Sequence, residues 1–310
     1  MTPSGSPVKP PPRVFDRDRV ARNRDRAAGS YDHYAFLKER VSRDLADRVL
    51  DTPRPFERGL DLGCHDGRLA ALLAGTGRVG GVEASDASAA MVASAQAAGL
   101  DAFVLDEETP EIPAGRYDLI VSALSLHWVN DLPGTLVRIR QALKQDGLFL
   151  GALYGAGTLA ELRECLMEAE TELTGGASPR LSPLPGLKDM ADLMQRAGFA
   201  LPVADRDTVV VRYREPARLL ADLKGMGERN ALASGMIRPL PRRVLMRALE
   251  LAHERHSDPD GRVRTTFEIV HVSGWAPAPG QPKPLKPGSA KASLADAVRR
   301  RDNRNEPGAS

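Results

Sequence analysis

Cysteine is scarce in this chain, and long apolar runs are missing from it. Cys64 and Cys165 are the only cysteines among 310 residues, which excludes a disulfide framework and a cysteine-based metal cluster. The longest strongly apolar run, LFLGALYGA from Leu148, is far shorter than the roughly 18 residues that a membrane-spanning helix requires. The first residues have no apolar core followed by a cleavage site, so we expect no export signal. These absences predict a protein of the reducing cytoplasm.

Aromatic residues and a dominant charge are also lacking. Aromatics make up 5% of the chain, and the formal net charge is only +2. Residues 1–50 carry 11 Lys and Arg against 7 Asp and Glu, and residues 276–310 carry 7 against 3, so the body between them is mildly acidic. A nucleic-acid surface would need basic and aromatic residues interleaved on that body. We therefore expect no nucleic-acid partner, and no membrane insertion.

Proline and basic residues concentrate at the two ends. Five prolines fall within the first twelve residues, and APAPGQPKPLKPGSA follows Trp275. Such segments favour extended chain over packed helix or sheet. We predict a flexible basic arm over residues 1–30, one domain over residues 31–275, and a largely disordered tail over residues 276–310.

Strand-like and helix-like patterns alternate through the predicted domain. This order is typical of βαβ units and a mainly parallel sheet. Two further strands, starting at Thr208 and Thr265, flank helices between residues 216 and 256. The prediction is therefore an α/β fold with seven strands, helices on both faces and a helical insertion before the last strand. The first five strand-like runs are residues 59–62, 78–85, 102–105, 117–124 and 147–154.

The sequence DLGCHDG, residues 61–67, lies between the first predicted strand and the helix after it. In an open parallel sheet this loop is a usual place for a ligand, and Gly63 and Gly67 would permit a sharp turn and a close approach. A phosphate-binding loop would place Lys and then Ser or Thr after the last glycine, whereas Arg68 and Leu69 stand there. The spacing also differs from the G-x-G-x-x-G of dinucleotide sites. Neither ligand is expected.

Three features resemble the class I methyltransferases that bind S-adenosylmethionine (SAM). DLGCHDG resembles their D-x-G-x-G-x-G turn, with Asp61 as the leading acid and His65 in place of the middle glycine. DASAAM from Asp86 resembles the D-x-S-x-x-M that opens their second helix. Asp106 resembles the acid that contacts the adenine amino group. The resemblance implies a Rossmann-like class I methyltransferase fold with SAM as cofactor, and we hypothesise that the His65 imidazole points out of the pocket.

Asp86 is the central residue of the predicted cofactor site. An acid at the end of the second strand is placed to accept hydrogen bonds from both ribose hydroxyls of an adenosine. Glu83 is an alternative within the strand, and a helix N-cap is the alternative role for Asp86, with Ser88 as a neighbouring cap. Glu107 and Glu108 could equally form a solvated edge. The predicted cofactor-binding residues are Asp61, Gly63, Cys64, His65, Gly67, Asp86, Ala87, Ser88, Asp106, Glu107, Ser122 and Leu124.

The candidate catalytic residues come from outside that turn. His127, in SLHWVND after the fourth strand, is placed to remove a proton, and a satisfied loop histidine is the alternative. Tyr31 is expected to close over the pocket as part of an N-terminal lid. Arg163 is expected to bind an acidic acceptor, or else to pair with Glu170 on its helix. HERH from His253 lacks the spacing of a zinc H-E-x-x-H site, so no metal is predicted.

The resemblance extends over roughly residues 13–298. The segment YDLIVSALSLHWVNDLPGTLVRIRQALKQDGLFLGALYG resembles the family of mitochondrial complex I assembly factor 5, as do GMGERN and VHVSGW further on. RAAGSYDHYA also resembles the opening of the malonyl-carrier O-methyltransferases of the biotin pathway. Both belong to the SAM methyltransferase superfamily.

Three functions follow from this resemblance. The favoured one is a SAM-dependent enzyme that modifies an arginine, by hydroxylation or methylation, or assists assembly, on the quinone-proximal iron-sulfur subunit of respiratory complex I. The second is an O-methyltransferase acting on a carrier-bound malonyl group or another small carboxylate. The third is a non-catalytic assembly chaperone that binds SAM.

Overall fold

A seven-stranded sheet organises the protein in a computed structural model, which describes residues 13–109, 111–233 and 239–282. The strand order is β3-β2-β1-β4-β5-β7-β6. Strands β1 to β5 pair in parallel, whereas β7 is antiparallel to both β5 and β6. The predicted α/β class and mainly parallel sheet are confirmed. The strands are β1 (Phe56–Leu62), β2 (Val79–Asp86), β3 (Asp101–Val104), β4 (Tyr117–Ala123), β5 (Leu143–Tyr154), β6 (Ala200–Tyr213) and β7 (Val263–Trp275).

Helices cover both faces of this sheet. Successive residues of β5 enter different cores: Leu148 and Leu150 pack in one cluster, and Phe149 packs in the other. This alternation is the period of a strand that is buried on both sides. Among the described residues between β6 and β7, two helices form the predicted insertion. The helices are α1 (Arg17–Ala28), α2 (Phe36–Leu50), α3 (Arg68–Gly75), α4 (Ala89–Ala97), α5 (Leu132–Ala142), α6 (Ala160–Thr174), α7 (Leu187–Arg196), α8 (Arg218–Gly225) and α9 (Arg242–His256).

Helix α2 shows how the hydrophobic period builds the core. Leu37, Val41, Leu45 and Val49 recur every fourth residue, and each is at most 1% exposed. Burial of each such side chain stabilises the fold by about 1.5–3 kcal/mol. Phe36, at the first position of the helix, is 39% exposed.

The predicted flexible arm over residues 1–30 is a helix from residue 17 onward. Asp16 caps α1 by accepting a hydrogen bond from the Arg19 N–H at 2.9 Å. Asn23 and Arg24 of α1 are buried although both are polar. The arginine-rich composition suggested a segment exposed to solvent. However, the arginines of α1 bind carboxylates that lie at the carboxyl ends of the strands. Residues 1–12 are outside the described part of the chain.

The chain divides into two compact units, residues 1–277 and residues 278–310. In the second unit, the Ala278 N–H donates a hydrogen bond to the Gln281 side chain at 3.1 Å. Most of the predicted tail, residues 283–310, lies outside the described residues. Of the helices that the structure describes, none combines the length and apolar character needed to cross a bilayer.

Candidate functional site

Three fully buried carboxylates meet at the carboxyl ends of neighbouring strands. Asp61 lies in β1, Asp86 ends β2, and Glu107 follows β3, each with 0% exposure. The sheet order changes direction between β1 and β4, which is where open α/β sheets bind ligands. Buried carboxylates require partners. The partners of these acids therefore define the site.

The turn after β1 presents backbone N–H groups toward this region. Gly63 has φ of 77° and His65 has φ of 53°, so both lie in the left-handed region. The His65 N–H donates to Oδ2 of Asp86 at 3.0 Å. A Cβ on Gly63 would lie 2.1 Å from Oγ of Ser125, which no side chain tolerates. This position therefore requires glycine for both conformation and space.

Substitution of Gly63 by alanine is expected to lower the free energy of unfolding by about 2–5 kcal/mol. The left-handed conformation costs about 1–2 kcal/mol, and the overlap with Ser125 adds about 1–3 kcal/mol. Gly77→Ala is the matched control, because Gly77 has φ of +67° and no atom within 4 Å of an added Cβ. Urea unfolding of both variants measures the difference. Equal losses would show that Ser125 yields without cost.

Arg24 of α1 occupies the centre of the acidic cluster. Its Nη1 lies 3.1 Å from both Oδ1 and Oδ2 of Asp86 and also donates to Oε1 of Glu107. Its Nη2 donates to Oγ of Ser125 at 2.8 Å. Burial alone would lower the pKa of Arg24, but the carboxylates of Asp86 and Glu107 raise it above its ordinary value. The guanidinium is thus a charged group held inside the protein. We call Asp86, Glu107 and Ser125 the carboxylate cage.

Arg17, about two turns of α1 earlier, holds the outer side of the same cluster. Its Nη2 lies 2.5 Å from Oδ1 of Asp106 and also donates to Glu107. Burial would raise the pKa of Glu107, but Arg24 and Arg17 bring it well below its usual range. Glu107 is therefore not part of a solvated edge. Asp106, the predicted adenine acid, is already ion-paired.

Lys38 of α2 fills the space beside the glycine turn. Its Nζ donates to the Gly63 carbonyl at 3.0 Å and to the Ala123 carbonyl at 2.6 Å, and lies 3.0 Å from Nδ1 of His65. Burial lowers the pKa of Lys38, and the carboxylate of Asp61 partly opposes that effect. An ammonium is thus bound by two carbonyls at the ends of β1 and β4.

The His65 imidazole points inward, so our hypothesis of an outward ring was wrong. His65 is 1% exposed, and its ring stacks on Tyr31 with 5.4 Å between centroids. Burial lowers the pKa of His65 well below its ordinary value, and the charges of Lys38 and Arg24 lower it further. Its ring occupies volume that a glycine would leave open.

Asp61 has a structural partner and one unpartnered oxygen. Its Oδ2 accepts the Ala70 N–H at 3.1 Å, which ties β1 to α3. Its Oδ1 is buried and has no hydrogen-bond partner among the described residues. Burial raises the pKa of Asp61 to about 6, although Lys38 acts in the opposite direction.

Other predicted cofactor residues lie nearby but contact the protein itself. Ser122 donates to the Leu62 carbonyl at 2.7 Å, and Cys64 donates to the His65 carbonyl at 3.3 Å. The Leu124 N–H donates to the Ala152 carbonyl at 2.7 Å. Each of these side chains or amides stabilises the loops around the cluster.

In the second-helix motif the N-cap of α4 is Ser88 and not Asp86, so the alternative role for Asp86 is not observed. Ser88 caps α4 by accepting the Met91 N–H at 3.1 Å, and the Ser88 N–H donates to Oδ1 of Asp86 at 2.8 Å. Half-buried Ala87 lies between them. Gly67 faces Leu100, and an added Cβ would lie 2.4 Å from that side chain.

Glu83, the alternative to Asp86, has a different environment. It accepts hydrogen bonds from Arg116 at 2.9 Å and from the Tyr117 hydroxyl at 2.5 Å. These partners lower the pKa of Glu83, although burial would raise it. They hold Glu83 away from the carboxylate cage.

A cavity of about 650 Å³ is lined by His127, the predicted catalytic histidine. Nε2 of His127 lies 3.0 Å from Oε2 of Glu228, and the Trp128 indole donates to the same oxygen at 2.8 Å. The His127 ring packs against Tyr154 with 4.8 Å between centroids. Nδ1 of His127 has no hydrogen-bond partner among the described residues. We call this space the acceptor cavity.

The other two catalytic candidates lie on different sides of His127. Arg163 lines the acceptor cavity and donates to the carbonyls of Ala156 at 3.1 Å and Thr158 at 3.2 Å. The alternative pairing with Glu170 does not form, since the carboxylate of Glu170 binds Arg180. Tyr31 lines a separate space of only about 10 Å³, which shares Tyr154 and Glu228 with the acceptor cavity.

Five side chains of this candidate site escaped the sequence reasoning. Ser125 and Tyr154 lie next to motifs that carried other predictions, and GMGERN, which contains Glu228, was recognised only as a family segment. Arg24 lay in the supposed flexible arm. A basic residue spaced like a buried position in an amphipathic helix was the signal available for Lys38. The missed residues are Arg24, Lys38, Ser125, Tyr154 and Glu228.

Comparison with known proteins identifies the family. A family model described as Methyltransferase domain matches residues 31–202. The chain belongs to the methyltransferase-domain family. The mitochondrial arginine-hydroxylase NDUFAF5 of Rattus norvegicus is 37% identical over 99% of this chain and 90% of its own length. A malonyl-[acyl-carrier protein] O-methyltransferase of Methylovorus is 30% identical over 85% of this chain and 90% of its own length.

The fold comparison agrees with this membership. The YcgJ protein of Bacillus subtilis superimposes with a TM-score of 0.54 over 76% of this chain and 99% of its own, at 16% identity. The predicted superfamily, the enzyme class and the homology to both groups of methyltransferase-family relatives are confirmed. The expected cytoplasmic location is overturned, because the NDUFAF5 relatives that match most of this chain are mitochondrial proteins.

SAM is the cofactor that the methyltransferase fold implies, and the side chains allow a test of its fit. Buried Asp86 has the chemistry to accept hydrogen bonds from a sugar diol. However, Arg24 already binds the Asp86 carboxylate, and Lys38 already binds the Ala123 carbonyl. The space beside Tyr31 and His65 measures only about 10 Å³. Ligand sites of this kind need about 300–1,000 Å³. In the described arrangement the residues do not fit SAM.

Metal ligation gives a simpler result. Within the described ranges, no group of three or more His, Cys, Asp and Glu side chains is arranged to hold a metal ion.

Proposed function

We propose that this methyltransferase-family protein is an arginine-modifying enzyme that acts on a protein partner and uses SAM as its cofactor. The observation that carries the proposal is the position of Glu228, which contacts His127 and Trp128 and lines both the acceptor cavity and the small space beside Tyr31. The name arginine-hydroxylase of the full-length relatives supports the choice of arginine.

Glu228 is suited to bind an incoming guanidinium. Its side chain is 9% exposed, and it accepts hydrogen bonds at Oε2, which leaves Oε1 for a further donor. A charge-assisted hydrogen bond at a site of such low exposure is stronger than one in water. Glu228 would orient the acceptor arginine at the boundary between the two spaces.

His127 is suited to take a proton from that arginine. When its Nε2–H donates to Glu228, the unpartnered Nδ1 becomes the acceptor of a proton. Tyr154 packs on the ring at 4.8 Å and fixes its orientation. Arg163 would contact backbone or acidic groups of the partner rather than the reacting arginine.

We propose that the cofactor binds at the carboxyl ends of strands β1, β2 and β3. Asp86 would receive the ribose hydroxyls and Asp106 the adenine, as their positions after β2 and β3 suggest. SAM carries the methyl group when bound. This binding needs an arrangement in which α1 has left the carboxylate cage.

The partner is proposed to be a subunit of respiratory complex I. Resemblance to the complex I assembly family and homology to NDUFAF5 over nearly the whole chain support this choice. The quinone-proximal iron-sulfur subunit is the first acceptor to test.

An O-methyltransferase acting on a carrier-bound carboxylate is the second candidate function. The acceptor cavity is lined by Arg163, Lys224 and Arg229 as well as by leucines, and cations of this kind favour an anionic acceptor. The malonyl-[acyl-carrier protein] relatives support the same chemistry.

Mass spectrometry of the acceptor tests these functions. The full chain is incubated with SAM labelled in its methyl group and with either the complex I subunit or malonyl carrier protein. We expect an arginine-containing peptide of the subunit to become heavier by one labelled methyl group in place of a hydrogen. Modification of the carrier alone would favour the second function. A stable complex with no heavier product would indicate a chaperone.

A further inference from the structure

We propose that α1 is an internal plug that competes with SAM for the carboxylate cage, so that the cofactor binds only when Arg24 has withdrawn. The inference rests on the proposed cofactor and concerns the regulation of that same site. Its basis is a disagreement within the structure. The carboxylates at the carboxyl ends of the strands have the chemistry to bind the sugar of SAM, whereas the described arrangement leaves too little space for it.

The cage is satisfied by one guanidinium. Arg24 donates to both oxygens of Asp86, to Glu107 and to Ser125, and all of these groups are fully buried. A sugar diol placed on Asp86 would need the same oxygens as acceptors. Two donors cannot occupy one buried carboxylate edge, so binding of the adenosine and insertion of Arg24 exclude each other.

The competition is between a cationic guanidinium and a neutral sugar diol for the same acceptor oxygens. Asp86 has two further donors from the protein backbone, His65 N–H at 3.0 Å and Ser88 N–H at 2.8 Å, so its remaining acceptor capacity faces Arg24. Withdrawal of Arg24 without a replacement would leave the charges of Asp86 and Glu107 in a buried site. Such charges destabilise the open state strongly unless a ligand satisfies them. The plug therefore closes whenever no cofactor is present.

Other contacts of α1 determine how it is held. Asp25 accepts from the Ser88 hydroxyl at 2.6 Å, on the cofactor side of the helix. Asn23 donates to the Arg229 carbonyl at 3.1 Å, and the Asp16 N–H donates to the Ala231 carbonyl at 2.8 Å. Arg229 also lines the acceptor cavity. The plug thus joins the cofactor site to the rim through which the acceptor would enter.

Few apolar side chains secure α1 in place. Val20 and Ala27 are its buried apolar residues, whereas α2 buries five apolar side chains on one face. Elements with little apolar burial detach at lower free energy than the core. Helix α1 can therefore leave while the sheet and α2 remain folded. Lys38, on α2, would stay bound to the Gly63 and Ala123 carbonyls beside the turn.

Calorimetric titration of the full chain tests the competition. SAM and S-adenosylhomocysteine are titrated into the wild type, Arg24→Gln and Arg22→Gln. We expect Arg24→Gln to bind both ligands at least about tenfold more tightly, which corresponds to a plug that closes at least nine of ten wild-type molecules. Arg22, 52% exposed and away from the cage, is the matched control and should leave both affinities unchanged. S-adenosylhomocysteine lacks the sulfonium charge, so a gain seen for both ligands is not simple charge repulsion.

Hydrogen exchange of the wild type gives a second readout that needs no variant. Saturating SAM should accelerate amide exchange across residues 17–28 while residues 36–50 stay protected. Equal affinities of wild type and Arg24→Gln, with α1 unchanged or better protected by SAM, would overturn the plug and leave the cofactor proposal standing. Failure of every form to bind either ligand would overturn both. If Arg24→Gln does not fold, the exchange result on the wild type decides.

Discussion

Replacement of Glu107 by alanine is expected to lower the free energy of unfolding by about 3–5 kcal/mol. Glu107 is fully buried and receives Arg24, Arg17 and the Ser125 hydroxyl. Loss of its carboxylate leaves Asp86 as the sole cage acid opposite the buried Arg24. Removal of one partner from a buried ion-pair network is among the most destabilising changes in a protein. Chemical denaturation at neutral pH measures the loss.

Two further variants locate the origin of this loss. Glu111, an exposed carboxylate four residues later, is the matched control, and Glu111→Ala should change stability by less than about 0.5 kcal/mol. Glu107→Gln keeps the side-chain shape and an acceptor oxygen, so its loss should lie between the two. A loss below about 1 kcal/mol for Glu107→Ala would show that Asp86 alone neutralises Arg24.

The pH dependence should carry the same signature. The pKa of Glu107 in the folded protein lies well below its unfolded value of about 4.3, so its contribution is complete above that pH and is lost as the pH falls further. Asp61 acts with the opposite sign, because burial raises its pKa to about 6 and its ionisation lowers stability as the pH rises from about 4 to 6. The acid limb below pH 4 should therefore flatten in Glu107→Ala.

The sheet could be predicted because hydrophobic period is a local signal. Alternation between strand and helix patterns placed five parallel strands in order, and each observed strand begins within a few residues of its predicted start except β6. β6 begins at Ala200 rather than at the predicted Thr208. The sequence did not reveal this earlier start, because the first half of the strand alternates between exposed and half-buried residues and carries Asp205 and Arg206. A strand at the sheet edge shows too little apolar content for its period to be recognised.

Only the proximity of Asp86 to the glycine turn was predictable in the site, and the role of these residues in cofactor binding stays a prediction. Asp86 and the glycine turn carry local spacing, and the structure places them together. Arg24 could not be found this way, because its partners are 62 and 83 residues away along the chain. A helix whose polar residues bind carboxylates far away in the sequence has the same composition as a helix exposed to solvent. Composition therefore cannot distinguish the two. His65 was misplaced for a related reason, since Lys38 and Tyr31 approach it from helices that the motif does not include.

Substitution of Glu228 by glutamine is expected to decrease modification of an arginine acceptor by about 10- to 100-fold, with the fold retained. Glutamine keeps an oxygen for His127 and Trp128 but removes the negative charge, and a hydrogen bond to a charged group contributes about 1.5–3 kcal/mol. The sign of the effect identifies the acceptor: an anionic carboxylate would gain from the loss of Glu228, whereas a guanidinium loses. Glu215→Gln, at an exposed carboxylate outside the cavity, is the control. Steady-state rates at limiting acceptor, with melting temperatures beside them, separate a weakened site from an unfolded one, and an unchanged rate in Glu228→Gln would remove this residue from acceptor binding.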